Sequence, residues 1–308
     1  MDSDNRTVAA GSEAAKHVIA QRMAFLAEQV ALPELVRSLT PESESSLGAA
    51  GIAALRANAP KAVLVAEGDS WFDYPPADVL DAIEDHHGYR VERVARRGDT
   101  VEDMAFSPSQ IEKLVRCIER IIQDRKPVKA VLLSGGGNDI AGEEFSMLLE
   151  HSLSGKAPVN AMIAEQLING RIRDSLLRLI GTVNTVFESY LGERVPIIIH
   201  GYGYPVADGR GFLGGWWFLP GPWLSPGFER KGILDMTARQ QVMRHLIDMF
   251  NTMLSDLASD VANGVIYVDV RPLLTDNLNN YKEDWANELH PSQEGFKRVA
   301  ARIAGAIP

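Results

Sequence analysis

Four short runs of this chain are almost unbroken aliphatic: "KAVLVA" (61–66), "VKAVLLS" (128–134), "VPIIIH" (195–200) and "GVIYVDV" (264–270). A strand with one wet face alternates polar and apolar residues, whereas a strand covered on both faces does not. These four runs therefore predict central strands of a parallel sheet. A fifth run, "YRVERVA" (89–95), alternates and is expected nearer an edge. Helical patterns separate the runs, at 76–87, 107–124, 159–191, 235–258 and 292–307. In the second of these, Ile111, Leu114, Val115, Ile118, Ile121 and Ile122 recur at helical spacing. The longest carries Ile168, Ile172, Leu176, Leu179, Val183, Phe187 and Tyr190 on one stripe. Strands alternating with helices predict an α/β fold: a three-layer α/β/α sandwich on a doubly wound, five-stranded parallel sheet in the flavodoxin-like order 2-1-3-4-5.

Residues 1–60 read differently. A helical pattern near 13–38 precedes the Ser/Gly/Glu-rich stretch "TPESESSLGAAG" (40–51). We read 1–60 as an N-terminal helical extension and linker, and 61–308 as the main domain. Within the latter, 201–232 is rich in Gly and Pro and holds three of the five tryptophans, Trp216, Trp217 and Trp223. A loop of about 30 residues without regular structure is uncommon in a compact domain and often functional. We expect it to form a binding wall or lid with aromatic contacts; an irregular cover over a hydrophobic face is the alternative.

Charge and cysteine content narrow the classes. The net charge of −10 repels phosphate backbones and argues against nucleic acid as a partner. The single cysteine, Cys117, sits in an amphipathic pattern, so no internal disulfide is expected. The first 20 residues lack a basic segment followed by an apolar one, and no apolar run reaches the length of a membrane span. A cytoplasmic chain with no membrane span is the expectation. The pair His86-His87 reads as a solvated helix end, because adjacent helical residues do not share a face; no metal site is expected.

Ligands of doubly wound sheets bind beyond the carboxyl ends of the strands. There this chain places Gly68-Asp69-Ser70, then Gly98 in "RRGDT", then Asn138 in "GGGNDI", then His200 and Tyr202, and finally His290 in "NELHPS". In the expected order the first and third strands are neighbours, so Ser70 and Asn138 face each other. Such a set meets the needs of acyl transfer. A serine hydroxyl needs a base to become a nucleophile, histidine can serve near neutral pH, and the oxyanion needs fixed donors. The amides of Ser70 and Gly98 and the side chain of Asn138 are candidate donors. Taken singly, each residue has a duller reading as turn or cap chemistry; their joint occurrence at successive strand ends carries the signal. Asp69 and Asp139 are read as loop-holding residues.

With those blocks in view, the chain resembles the GDSL-type esterases/lipases of the SGNH hydrolase superfamily over roughly 61–308. "EGDSW" carries Ser70, with Trp71 where the family often has Leu. Gly98 forms the second block, "GGND" (136–139) fits G-x-N-D, and "NELHP" (287–291) stands where the family has D-x-x-H. The resemblance implies a serine hydrolase of acyl or acetyl esters, with no cofactor. Its partner would be a small ester, lipid-like or an acylated carbohydrate, and a homo-oligomer is compatible with it. An acyltransferase using the same residues, or a non-catalytic binding protein on this fold, are the alternatives. The departure is Asn287 in place of Asp. Three orienters for His290 stay open: Asn287 as a neutral acceptor, Asp284 from the turn before, or a backbone carbonyl. Trp71, His200, Tyr202, Trp216, Trp217 and Trp223 are the candidate substrate contacts.

Overall fold

The computed structural model describes residues 2–30, 62–214 and 219–308. Its element order is α1 (Asp2–Val30), β1 (Val63–Gly68), α2 (Val79–His87), β2 (Arg90–Arg93), α3 (Val101–Phe106), α4 (Pro108–Gln123), β3 (Val128–Ser134), a helical turn α5 (Gly137–Ile140), α6 (Ala161–Glu165), α7 (Arg173–Leu191), β4 (Ile197–His200), α8 (Ser225–Arg230), α9 (Met236–Ser259), β5 (Val265–Val268) and α10 (Gln293–Ala304). All five strands pair in parallel, in the order β2-β1-β3-β4-β5. This is the expected topology.

The central strands β1, β3 and β4 bury Leu64, Val65, Val131, Leu132, Ile197 and Ile198 almost completely. The run at 264–270 departs from expectation. Its aliphatic pattern suggests two covered faces, yet β5 is an edge strand with Val265, Ile266 and Tyr267 only half-buried. Composition reports what a strand could bury, and its place in the order decides what it does bury.

Helix starts follow capping chemistry. The expected helix at 76–87 begins only at Val79, because Asp78 takes the N-cap and forms a capping box with Asp81. Thr100 and Asp103 build a second box that starts α3, a short helix absent from the sequence reading. The long pattern at 159–191 is interrupted by a π-helical turn, Gln166–Ile172, before continuing as α7 to Gly192.

The N-terminal pattern is helical earlier than expected, over Asp2–Val30; the remainder of that pattern and the Ser/Gly/Glu-rich stretch lie outside the described residues. α1 crosses α7 at two glycines. A Cβ on Gly11 would stand 1.9 Å from the Arg178 carbonyl oxygen, and one on Gly181 would stand 2.2 Å from that of Val8. The backbones touch there, and the Thr182 hydroxyl donates to the Gly11 carbonyl at 3.1 Å.

The 201–232 insertion is more ordered than a structureless loop. It contains α8 and buries Val206, Ala207, Leu224 and Phe228. Among the described residues no helix is long and apolar enough to cross a membrane.

Candidate active site

β1 ends at Gly68, where it runs so close to β3 that an added Cβ would meet the Ser134 carbonyl oxygen at 2.7 Å. The next residue, Asp69, shapes the turn that exposes Ser70. One carboxylate oxygen accepts from the Trp71 amide at 3.0 Å and from the Ser134 hydroxyl at 2.9 Å, and the other accepts from the Tyr202 hydroxyl. The Asp69 carboxylate is thus engaged within the fold.

Ser70 Oγ lies 2.7 Å from His290 Nε2. Behind the imidazole, Nδ1 lies 3.0 Å from Asn287 Oδ1. That oxygen also accepts from the backbone amides of Leu289 at 3.0 Å and His290 at 2.9 Å. Two N–H donors converging on one atom identify it as the carbonyl oxygen of the side-chain amide. An acceptor facing Nδ1 requires that Nδ1 carry the proton, so Nε2 presents its lone pair to Ser70. The tautomer needed to accept the serine proton follows from the hydrogen bonds alone. The other end of the Asn287 amide, Nδ2, donates to the Tyr74 hydroxyl at 2.9 Å.

Asp284 does not join this chain. Its carboxylate accepts from the Thr275 amide at 2.6 Å and pairs with Arg298. Of the three orienters left open by the sequence, the side chain of Asn287 is the one facing Nδ1. His290 is 5% exposed, and burial pushes its pKa down to about 3. The cause is desolvation, and the Asn287 side chain that faces Nδ1 carries no charge to offset it.

Gly98 and Asn138 line the same cleft as Ser70 and His290. One hydrogen of Asn138 Nδ2 is held by the Asp99 carbonyl at 2.9 Å, which aims the amide and leaves its second hydrogen uncommitted. Gly98 has φ +86°, and nothing lies within 4 Å of where its Cβ would be. The reason for glycine here is thus backbone conformation, not crowding. Asp139 holds the two loops together, accepting from the Val101 amide at 2.9 Å; burial raises its pKa to about 6.

The cleft has a volume of about 300 Å³ and is walled by Tyr74, Phe212, Pro220, Trp223 and Leu289. Trp223 meets His290 edge-on, with ring centroids 5.6 Å apart. A second, smaller cavity of about 50 Å³ shares Ser70, Asn138 and Leu289 with this cleft and has Trp71 and Tyr202 among its lining. His200 does not reach either cavity. It is 1% exposed, stacked on Trp71 at 5.5 Å, with Nδ1 against the Gly201 carbonyl. A strand-end position placed it near the site in sequence, but its side chain turns into the core. Trp216 and Trp217 lie outside the described residues.

Two residues of the site escaped the sequence reading. Tyr74 is one, since an aromatic past a turn has no periodicity to place it. Glu288 is the other, and its side chain turns toward the insertion. Fully buried, it accepts from the amides of Gly209 (2.9 Å), Trp223 (2.7 Å), Leu224 (2.8 Å) and Ser225 (3.0 Å). It thereby ties the 201–232 insertion to the segment carrying His290. Arg210 adds bonds to the Trp285 and Ala286 carbonyls at 3.0 and 3.1 Å. Among the described residues, no group of three or more His, Cys, Asp or Glu is placed to hold a metal ion.

The profile of the GDSL-like lipase/acylhydrolase family matches residues 65–298, most of the chain, and the chain belongs to that family. No curated protein matches it in sequence. Solved structures that resemble it include a catalytic mutant of an acetylxylan esterase from Geobacillus stearothermophilus. That pair is 16% identical, over 80% of this chain and 94% of the other, with a TM-score of 0.42. A protein from Bacteroides fragilis described as an acylhydrolase is 17% identical, over 86% and 98%, with a TM-score of 0.41. One from Slackia heliotrinireducens described as an SGNH hydrolase is 12% identical, over 80% and 99%, with a TM-score of 0.46.

Proposed function

We propose that this member of the GDSL-like lipase/acylhydrolase family is a serine ester hydrolase. Ser70 Oγ attacks the ester carbonyl as His290 Nε2 takes its proton. The Ser70 and Gly98 amides and the free hydrogen of Asn138 Nδ2 receive the oxyanion. His290 then returns the proton to the leaving alcohol. In the second half-reaction it accepts a proton from the water that attacks the acyl-enzyme, and passes that proton to Ser70 Oγ as the C–O bond to serine breaks and the acid leaves. Asn287 orients the imidazole as a neutral acceptor.

The observation that carries this reading is the 2.7 Å contact between Ser70 Oγ and His290 Nε2, with the Nε2 lone pair pointing at the hydroxyl. A serine in an ordinary turn has no reason to meet a buried, unprotonated imidazole held from behind.

The test is hydrolysis of p-nitrophenyl acetate. Wild type is expected to turn over, and Ser70→Ala to lose about 10⁴-fold in kcat. A fluorophosphonate probe should modify the peptide carrying Ser70. Equal rates for the two proteins, or labelling elsewhere, would refute the assignment.

A further inference from the structure

The small cavity beside Ser70 has no task in the scheme above, and its lining says what it can take. It is bounded by Ala141 and Leu224 and by Met243, Ile247 and Phe250 from α9. Apart from Ser70 and the second hydrogen of Asn138 Nδ2, which the reaction itself uses, the polar side chains around it are already engaged. The Asp69 carboxylate holds the Trp71 amide and the hydroxyls of Ser134 and Tyr202. The indole N–H of Trp71 donates to the Leu289 carbonyl at 3.0 Å, and that of Trp285 to the Thr275 carbonyl at 3.1 Å. A hydroxylated group entering this cavity would lose its water and find few free partners, which disfavours a sugar or a carboxylate.

Size sets a second limit. About 50 Å³ of free volume accommodates roughly four water-sized groups. Ser70 and Asn138 line both this cavity and the larger cleft, so a carbonyl held between them can send one substituent each way.

Resting on the ester-hydrolase reading, we infer that the inner cavity is the acyl site and that the substrates are esters of short, unsubstituted acids of roughly two to four carbons. The alcohol part occupies the larger aromatic cleft. Met243 and Ile247 set the length limit from α9.

The experiment compares kcat/KM on p-nitrophenyl acetate, butyrate, hexanoate and octanoate. Wild type should accept acetate and butyrate and lose roughly tenfold or more on passing to hexanoate, and again to octanoate. Ile247→Ala deepens the cavity and should move the best substrate toward hexanoate. Ala141→Leu narrows the cavity and should penalise butyrate more than acetate; it also provides a second variant if Ile247→Ala does not fold. Ser70-dependent turnover with octanoate as fast as butyrate would overturn the acyl-site assignment while leaving the hydrolase reading intact. So would two folded variants with the wild-type chain-length profile. Absence of Ser70-dependent turnover on every ester would overturn both.

Discussion

The ring of Tyr74 lies flat over the imidazole of His290, with centroids 4.1 Å apart and planes 19° apart. Its hydroxyl meanwhile accepts from Asn287 Nδ2. One side chain therefore touches both the proposed base and its orienter. Where no carboxylate faces Nδ1, the π face of Tyr74 joins the Asn287 carbonyl oxygen in favouring positive charge on the imidazole.

Tyr74→Phe and Tyr74→Leu separate these two contacts. Phe keeps the face and loses the hydrogen bond, so a fall in kcat of no more than about tenfold is expected for one neutral bond. Leu removes the face as well, and a further loss of about five- to thirtyfold is expected for a desolvated cation–π contact. Equal activity of the two variants would assign Tyr74 to packing alone.

Asn287 makes a prediction about pH. Burial holds the folded pKa of His290 near 3, so the unprotonated base persists above that value and is lost only as pH falls through it. The acid limb of kcat/KM should thus be missing between about pH 5 and 8, where an unperturbed histidine would titrate near 6.5. Asn287→Asp brings a negative charge to Nδ1, raises the pKa of His290 and should create an acid limb within that window. A wild-type profile falling with an apparent pKa near 6.5 would contradict this account.

Glu288 should act on substrate binding through Trp223. Its carboxylate accepts four amides, three of them in the stretch 223–225 that leads into α8. Glu288→Gln replaces an accepting oxygen with a donor facing N–H groups, at a cost of about 1–3 kcal/mol in stability. With the Trp223 wall loosened, KM should rise more than kcat falls. Differential scanning and steady-state kinetics check both, and unchanged KM would show that the insertion is held by other contacts.

Glu67 governs stability at alkaline pH. It is 2% exposed at the end of β1, and its side chain accepts from the Gly68 amide at 3.1 Å. Burial raises its pKa to about 8, from 4.5. A raised folded pKa means that stability is fully present below 4.5 and is progressively lost as pH rises toward 8. Glu67→Gln, which cannot ionise, should gain on the order of 2–4 kcal/mol relative to wild type at pH 8 and little at pH 5. Denaturant melts at the two pH values test this, and a gain of equal size at both would rule out ionisation as the cause.

The sequence by itself determined the strand positions, their parallel order and the end of the sheet where Ser70, Gly98, Asn138 and His290 gather. Those follow from local rules: aliphatic runs mark covered strands, and strand ends in a doubly wound sheet face one crevice. The same rules misplaced His200, because a position at a strand's end does not say which way the side chain turns. They also read β5 as covered, since a run of Val and Ile looks alike at the centre and at the edge. The facing of Asn287 rather than Asp284 toward His290 Nδ1, the seat of Tyr74 on His290 and the grip of Glu288 on the insertion were decided only by tertiary structure. Each joins segments whose approach depends on packing across the whole domain, Tyr74 and Asn287 being 213 residues apart. Periodicity along a chain carries no information about which distant loop will supply a partner.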